Sequence, residues 1–295
     1  MAAAAPAARA ARPDRACEET ARFLYKSCRL ETNEDMYVEF AKCENLSEGT
    51  DRKECRDDAA AERRALFEEC AEVRDEREQI CEDLGETRYD PQLDPADFVA
   101  GVSNPYTPFT VGSVWTYQKQ TSEGLEEIVF EILPDTRDFD GIVATSIRDR
   151  VTLDGVVVED TTDWVAQDVD GNVWYLGEIA QNFEDGRLAD LSGSWEIGKE
   201  GAKPGFWMIA SPQVGQFYRQ EWLPGDAEDM VEVISVDATG YTFPFANGSP
   251  VLQTRDYLPS EPGKYEYKFY VPGVGMVLEV DPETGEELRL IDYQP

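Results

Sequence analysis

At 295 residues, with 41% hydrophobic and 11% aromatic residues, the chain has material for two domains and a buried core. Lys+Arg 27 against Asp+Glu 61 leave a formal net charge of -34, which repels phosphate backbones and anionic lipid alike, so nucleic acid and direct anionic-membrane binding are excluded. Histidine is absent, which removes His-based triads and His-containing zinc sites.

The chain begins with an Ala-rich stretch, residues 1–16, read as a disordered tail or the remnant of an export signal. All six cysteines follow, at Cys17, Cys28, Cys43, Cys55, Cys70 and Cys81, and the rest of the chain has none. They stand in pairs equidistant from Gly49: 17 with 81, 28 with 70 and 43 with 55. Two antiparallel helices with one rise per residue keep facing positions at a constant index sum, so the spacing predicts a hairpin stapled by those three disulfides. Cys17, Ala21, Leu24 and Cys28 form one apolar stripe; Cys55, Ala59, Leu66, Cys70, Val73 and Ile80 form the other, interrupted by Glu62 and Arg77. Thr32 and Asn33 are weak helix formers, so a break or kink is expected there. Metal and redox roles for the cysteines lack a C-x-x-C pair. Disulfides persist in oxidising compartments, so the expected location is extracytoplasmic: periplasmic, cell-surface or secreted. Carboxylates spread over the whole length fit a high-salt habitat or an ordinary acidic exported protein equally well.

The predicted domains are therefore the hairpin at 17–85, a Pro/Asp-rich linker at 86–103 and a β domain at 104–295. In the last, short β-type segments alternate with turns, including Asp154-Gly155 between two strands and a turn at Asp281-Pro-Glu-Thr-Gly285. Strands so close in sequence make an antiparallel meander. The fold class is α+β, mainly β, with a curved sheet or incomplete barrel as first closure and a β-sandwich as second.

Within 104–295, the segments Asn104-Pro-Tyr-Thr-Pro-Phe109, Gly112-Ser-Val-Trp-Thr-Tyr117, Asp163-Trp-Val-Ala-Gln-Asp168, Asp170-Gly-Asn-Val-Trp-Tyr-Leu-Gly-Glu178, Gly201-Ala-Lys-Pro-Gly205, Tyr218-Arg-Gln-Glu221 and Pro272-Gly-Val-Gly275 resemble a family of uncharacterised exported bacterial proteins. The Gly-x-x-Trp-x-Tyr opening is similar to the first strand of lipoprotein-type half-barrel sheets. The resemblance implies compartment and fold, and carries no catalytic residue.

No nucleophile elbow, phosphate loop or dinucleotide fingerprint is present, and no catalytic residue is assigned. Asp168, Asp170 and Asn172 alternate oxygen-bearing side chains around Gly171, with Glu178 beyond, a pattern that suits Ca2+. The same stretch lies between apolar strands, where a hairpin turn is the expected structure. No other cofactor is expected. Lys203, Phe206 and Trp207 combine a lone cation with adjacent aromatics beside Pro204 and Gly205, which suits a binding surface; an ordinary buried strand is the alternative. The functional expectation is a non-enzymatic binding or accessory protein for a small ligand or protein partner, oligomerisation included. The alternatives are a structural or assembly subunit and a carboxylate-dependent hydrolase.

Overall fold

The computed structural model describes residues 14–295, so most of the predicted tail at 1–16 lies outside the described residues. The chain divides into two compact units, the first ending at Tyr89 and the second beginning at Asp90.

The first unit is the hairpin: α1 (Ala16–Cys43) and α2 (Gly49–Leu84) run antiparallel. Disulfides join Cys17 to Cys81, Cys28 to Cys70 and Cys43 to Cys55, with Cα–Cα distances of 5.7, 5.9 and 5.7 Å. Few other residues are buried, chiefly Ala21, Thr32 and Met36 on α1 and Ala59 and Ile80 on α2. Covalent staples, worth about 2–4 kcal/mol each, therefore supply what this thin seam lacks. The expected break at Thr32 and Asn33 does not occur. Thr32 Oγ1 donates to the Cys28 carbonyl (2.8 Å) and Asn33 Nδ2 to the Arg29 carbonyl (2.7 Å), so both polar side chains are satisfied against the preceding turn. The three disulfides belong to an oxidising, extracytoplasmic environment. Among the described residues no helix is long and apolar enough to cross a membrane.

The second unit is one antiparallel sheet that nearly closes on itself. Strands β1 (Val114–Gln120), β2 (Leu125–Phe139), β3 (Ile142–Leu153), β4 (Val156–Gln167) and β5 (Val173–Glu184) form a first meander. Beside β5 lie β6 (Arg187–Asp190), β7 (Trp195–Glu196) and β8 (Lys203–Met208). A second meander consists of β11 (Met230–Ser235), β12 (Leu252–Tyr257), β13 (Glu266–Val271), β14 (Gly275–Val280) and β15 (Glu287–Gln294), and β15 pairs with β1. The two free edges are joined by one segment: β9 (Phe217–Arg219) pairs with β11, and β10 (Glu221–Trp222), one residue later, pairs with β8. Gly205 makes this closure possible, because a Cβ there would overlap the Gln220 carbonyl.

Turn chemistry sets the registers. Asp154 and Gly155 both have positive φ (49° and 80°), as a two-residue hairpin between β3 and β4 requires. Pro134 would ordinarily end β2 near Leu133, but it falls where the pairing with β3 slips between Ile132 and Thr136, so the strand continues to Phe139.

Alternation sends Trp115, Ile147, Val165 and Val173 to the inner core, while Phe269 and its pair Leu278 face outward, Phe269 beneath Tyr241 and Phe243. Ile142, Ala144, Trp164, Ala166 and Leu176 lie on the opposite face, covered by Leu93 and Phe98. Val99 donates to the Gln167 carbonyl (2.9 Å) and Val169 to that of Asp97 (2.7 Å). The second half of the predicted linker at 86–103 is therefore part of the β unit: its apolar residues bury a face that the sheet cannot cover itself.

Candidate functional site

The register makes two unlike walls inside the barrel. One row of directly paired residues runs Trp115, Phe130, Asp149, Thr161 across β1 to β4; the next runs Tyr117, Ile128, Val151, Glu159. A third runs Ile132, Ile147, Asp163, Glu178 across β2 to β5. Each row is aromatic or apolar at one end and ends in, or passes through, carboxylate on β3 to β5.

A bulge sharpens this. Trp164 pairs with Gly177 but Val165 pairs with Tyr175, leaving Leu176 as the extra residue. Tyr175 and Glu178 consequently both face inward, where simple alternation would separate them. Gly177 takes φ 147°, and a Cβ on it would lie 2.7 Å from the Trp195 carbonyl oxygen, so the bulge requires glycine.

Between the walls is a cavity of about 290 Å³. Tyr106, Phe109, Trp115, Phe130 and Trp207 line one side; Asp149, Glu159, Asp163, Glu178, Glu221, Asp229 and Glu279 contribute carboxylates. Among its described lining residues there is one cation, Lys268. Lys268 Nζ already contacts Asp256 (3.3 Å) and Glu279 (3.9 Å). Burial alone would lower its pKa, but these carboxylates outweigh burial and hold it well above the usual lysine value. Beyond Asp229 and Lys268, which form a common wall, a second depression is lined by Asp256, Glu261, Glu266, Asp281 and Glu283 together with Tyr257, Tyr265 and Lys264.

The carboxyl groups are held partly protonated. Tyr175 donates to Asp163 Oδ1, and its oxygen lies 3.0 Å from Glu178 Oε2. A phenol has one hydrogen, so satisfying both contacts needs a proton on one of the acids. Burial, and for Glu178 the neighbouring Asp163 charge, push both pKa values up. Burial raises Asp149 well above the carboxylate range, with Asp163 and Glu159 adding to it. Glu221 is likewise raised by burial and by Asp229, Glu178 and Asp163. Burial also lifts Asp229 to about 6 and Glu279 to about 7, against the opposing pull of Lys268.

Two residues of the lining each carry a buried polar atom with no hydrogen-bond partner among the described residues, Thr107 Oγ1 and Asp149 Oδ1, both turned away from the open space of the cavity. Thr107 belongs to a strap, residues 102–112, that is anchored to the sheet. Its Asn104 donates from Nδ2 to the carbonyls of Gly171 (3.0 Å) and Ile209 (3.3 Å), and Gln167 Oε1 accepts from the backbone of Ser103 (2.7 Å) and Asn104 (2.8 Å).

The residues singled out from sequence fall in different places. Asp168 accepts from Asn172 N (2.8 Å), Asn172 Nδ2 (2.9 Å) and Trp174 Nε1 (2.9 Å), and Asn172 Oδ1 accepts from Ala210 N (2.9 Å). These oxygens build the turn between β4 and β5; Asp170 makes no part of that network. No group of three or more acidic or sulfur ligands that could hold a metal ion occurs among the described residues. Trp207 lines the cavity, whereas Phe206 packs on Trp174 with ring centroids 4.1 Å apart and Lys203 pairs with Asp90. Adjacent strand residues face opposite ways, which separates Phe206 from Trp207, and the ion pair with Asp90 engages Lys203 elsewhere, so the three do not form one surface. Glu178, noted from sequence only beside the calcium pattern, lies in the cavity instead, and Asp149, Asp163 and Glu221 gave no signal of their own, being three among 61 Asp and Glu.

Comparison of the chain with protein-family models, characterised proteins and solved structures finds no match.

Proposed function

We propose that this chain is an extracytoplasmic binding protein whose β domain holds a small organic molecule in the barrel interior. The observation that carries the reading is the cavity of about 290 Å³, walled by Tyr106, Phe109, Trp115, Phe130 and Trp207 on one side and by carboxylates on the other. Concave, largely aromatic walls with a few convergent polar groups are the usual form of a small-molecule site. The test is a thermal-shift panel of benzyltrimethylammonium, indole and phenylacetate. At least one is expected to raise Tm through mass action, with the rise abolished when Ile128→Trp fills the cavity. No rise with any probe, or a rise that survives the filled cavity, overturns the reading.

One observation favours a second reading, assembly through the hairpin. Phe23, Leu30 and Tyr37 are 59%, 70% and 65% exposed and stand seven residues apart on α1. The occupant we assign is a second copy: an antiparallel two-fold axis at Leu30 sets Phe23 against Tyr37 and Lys26 against Glu34, a self-complementary charge pattern. Sedimentation should show concentration-dependent dimers that Leu30→Glu abolishes. A monomer at all concentrations removes this reading and leaves the first untouched.

A further inference from the structure

We infer that the molecule held in the barrel is an organic cation, its ammonium group among Asp149, Asp163, Glu178 and Glu221 and its apolar body against Trp115, Phe130 and Trp207. The inference rests on the binding reading above and adds the chemical class.

Charge imbalance is the first support. The only cation on the described lining is Lys268, which contacts Asp256 and Glu279 and acts on Asp149 only as a minor influence, so Asp163 and Glu178 have no basic residue of the lining beside them. A like-charged cluster of this kind is relieved by protons or by a bound cation. Asp149 lines the cavity, and its buried Oδ1 has no donor among the described residues.

The aromatic wall is the second support, and it is independent of the acids. Phe130 pairs directly with Asp149 across β2 and β3, and with Trp115 across β1 and β2. Trp207 stands 4.8 Å from Tyr175 between ring centroids, and Tyr175 holds the Asp163–Glu178 pair. Aromatic faces running without a break into carboxylates are what an alkylated ammonium recognises, through cation–π attraction on one side and ion pairing on the other.

Size and spread argue for an organic ion rather than a metal. No described set of three or more such ligands gathers as a metal site requires. At about 30 Å³ per water, the cavity accommodates a molecule of roughly ten non-hydrogen atoms. The acidic depression beyond Asp229 and Lys268 concentrates cations at that side and repels anions.

The experiment is isothermal titration of the full, disulfide-intact chain at pH 8 with three benzyl probes: benzyltrimethylammonium, its uncharged carbon isostere neopentylbenzene, and phenylacetate as the anion. The cation is expected to bind at least about tenfold more tightly than the neutral isostere, and phenylacetate not at all. Asp149→Asn should weaken the cation about tenfold and leave the isostere unchanged; Glu178→Gln is the second variant, should the first fail to fold. Equal affinity for cation and isostere, or preference for phenylacetate, overturns the cationic class while the binding reading stands. Binding of none of the three overturns both.

Discussion

The two units are stabilised by opposite means. The hairpin buries little and is closed by covalent bonds at its base, middle and tip, while the β domain contains no disulfide and relies on a large core around a hollow centre. The difference teaches where polar residues can go. A helical arm keeps its acids in solvent, whereas the barrel takes acids inside and must satisfy them there. The hairpin holds its shape at little cost, and the barrel accepts unfavourable burial of acids around its cavity.

The largest effect should separate the two units outright. Full reduction removes about 2–4 kcal/mol per bridge from a hairpin with little else. Helical circular dichroism at 222 nm should collapse while the near-ultraviolet signal of the barrel tryptophans persists. Simultaneous loss of both signals would show that the barrel depends on the staples too.

Next come the glycines, which mean different things in the two units. Gly177→Ala places a methyl group 2.7 Å from the Trp195 carbonyl at φ 147° and should destabilise the β domain by about 2–4 kcal/mol. Gly85→Ala, at the end of α2, has the same positive-φ handicap (99°) but open space, and should cost about 1 kcal/mol. Urea titration distinguishes them. Equal small losses would mean that the bulge tolerates a side chain and that Glu178 is not held by it.

The pH profile should sharpen the contrast further. Asp229 at about 6 and Glu279 at about 7 titrate above their ordinary values of 3.8 and 4.5, because burial disfavours their charge. Over that window the folded state binds more protons than the unfolded one, so stability is fully present below the unfolded pKa and is lost as pH rises through the folded pKa. The barrel transition should therefore fall in Tm between pH 5 and 8.5, and Glu178→Gln should flatten the fall, since burial and Asp163 raise that group in the same direction. A level or rising profile would contradict the buried acids.

The smallest effect concerns salt. With a net charge of -34, raising ionic strength from millimolar towards molar should lift Tm by a few degrees through screening, as a high-salt habitat would demand. A flat or falling Tm would favour the ordinary exported protein.

How much was legible follows the same division. The hairpin pairing is visible because two helices share one rise and the six cysteines straddle Gly49 evenly. Most of the first meander is visible because Trp115 with Tyr117, and Asp154 with Gly155, carry alternation and turn chemistry on their surface. β12 and β15 are not. In β12 the inward residues are Leu252, Thr254 and Asp256, all buried, so the apolar period vanishes from the sequence. The same property hides the cavity: Asp149, Asp163 and Glu178 are inward strand residues of the kind a reader assigns to solvent. Trp207 was legible as a binding residue, but its neighbours Phe206 and Lys203 were not separable from it until strand direction was known.

The split strand that joins the two meanders has a consequence for the order of events during folding. β9 and β10 each need an edge that exists only after a different meander has formed, and those edges come from residues on either side of them in the chain. Segment 217–222 therefore acts as a latch that is complete only when both edges are present, although its own pairings, Glu221 with Pro204 and Arg219 with Met230, are short in sequence and cost far less loop-closure entropy than the pairing of β1 with β15. A single cut in the exposed stretch Gln213–Gln216 just before it would leave both meanders whole yet release the latch on one side. Such a nicked chain should keep most of its strand content and lose the continuous wall between β8 and β11.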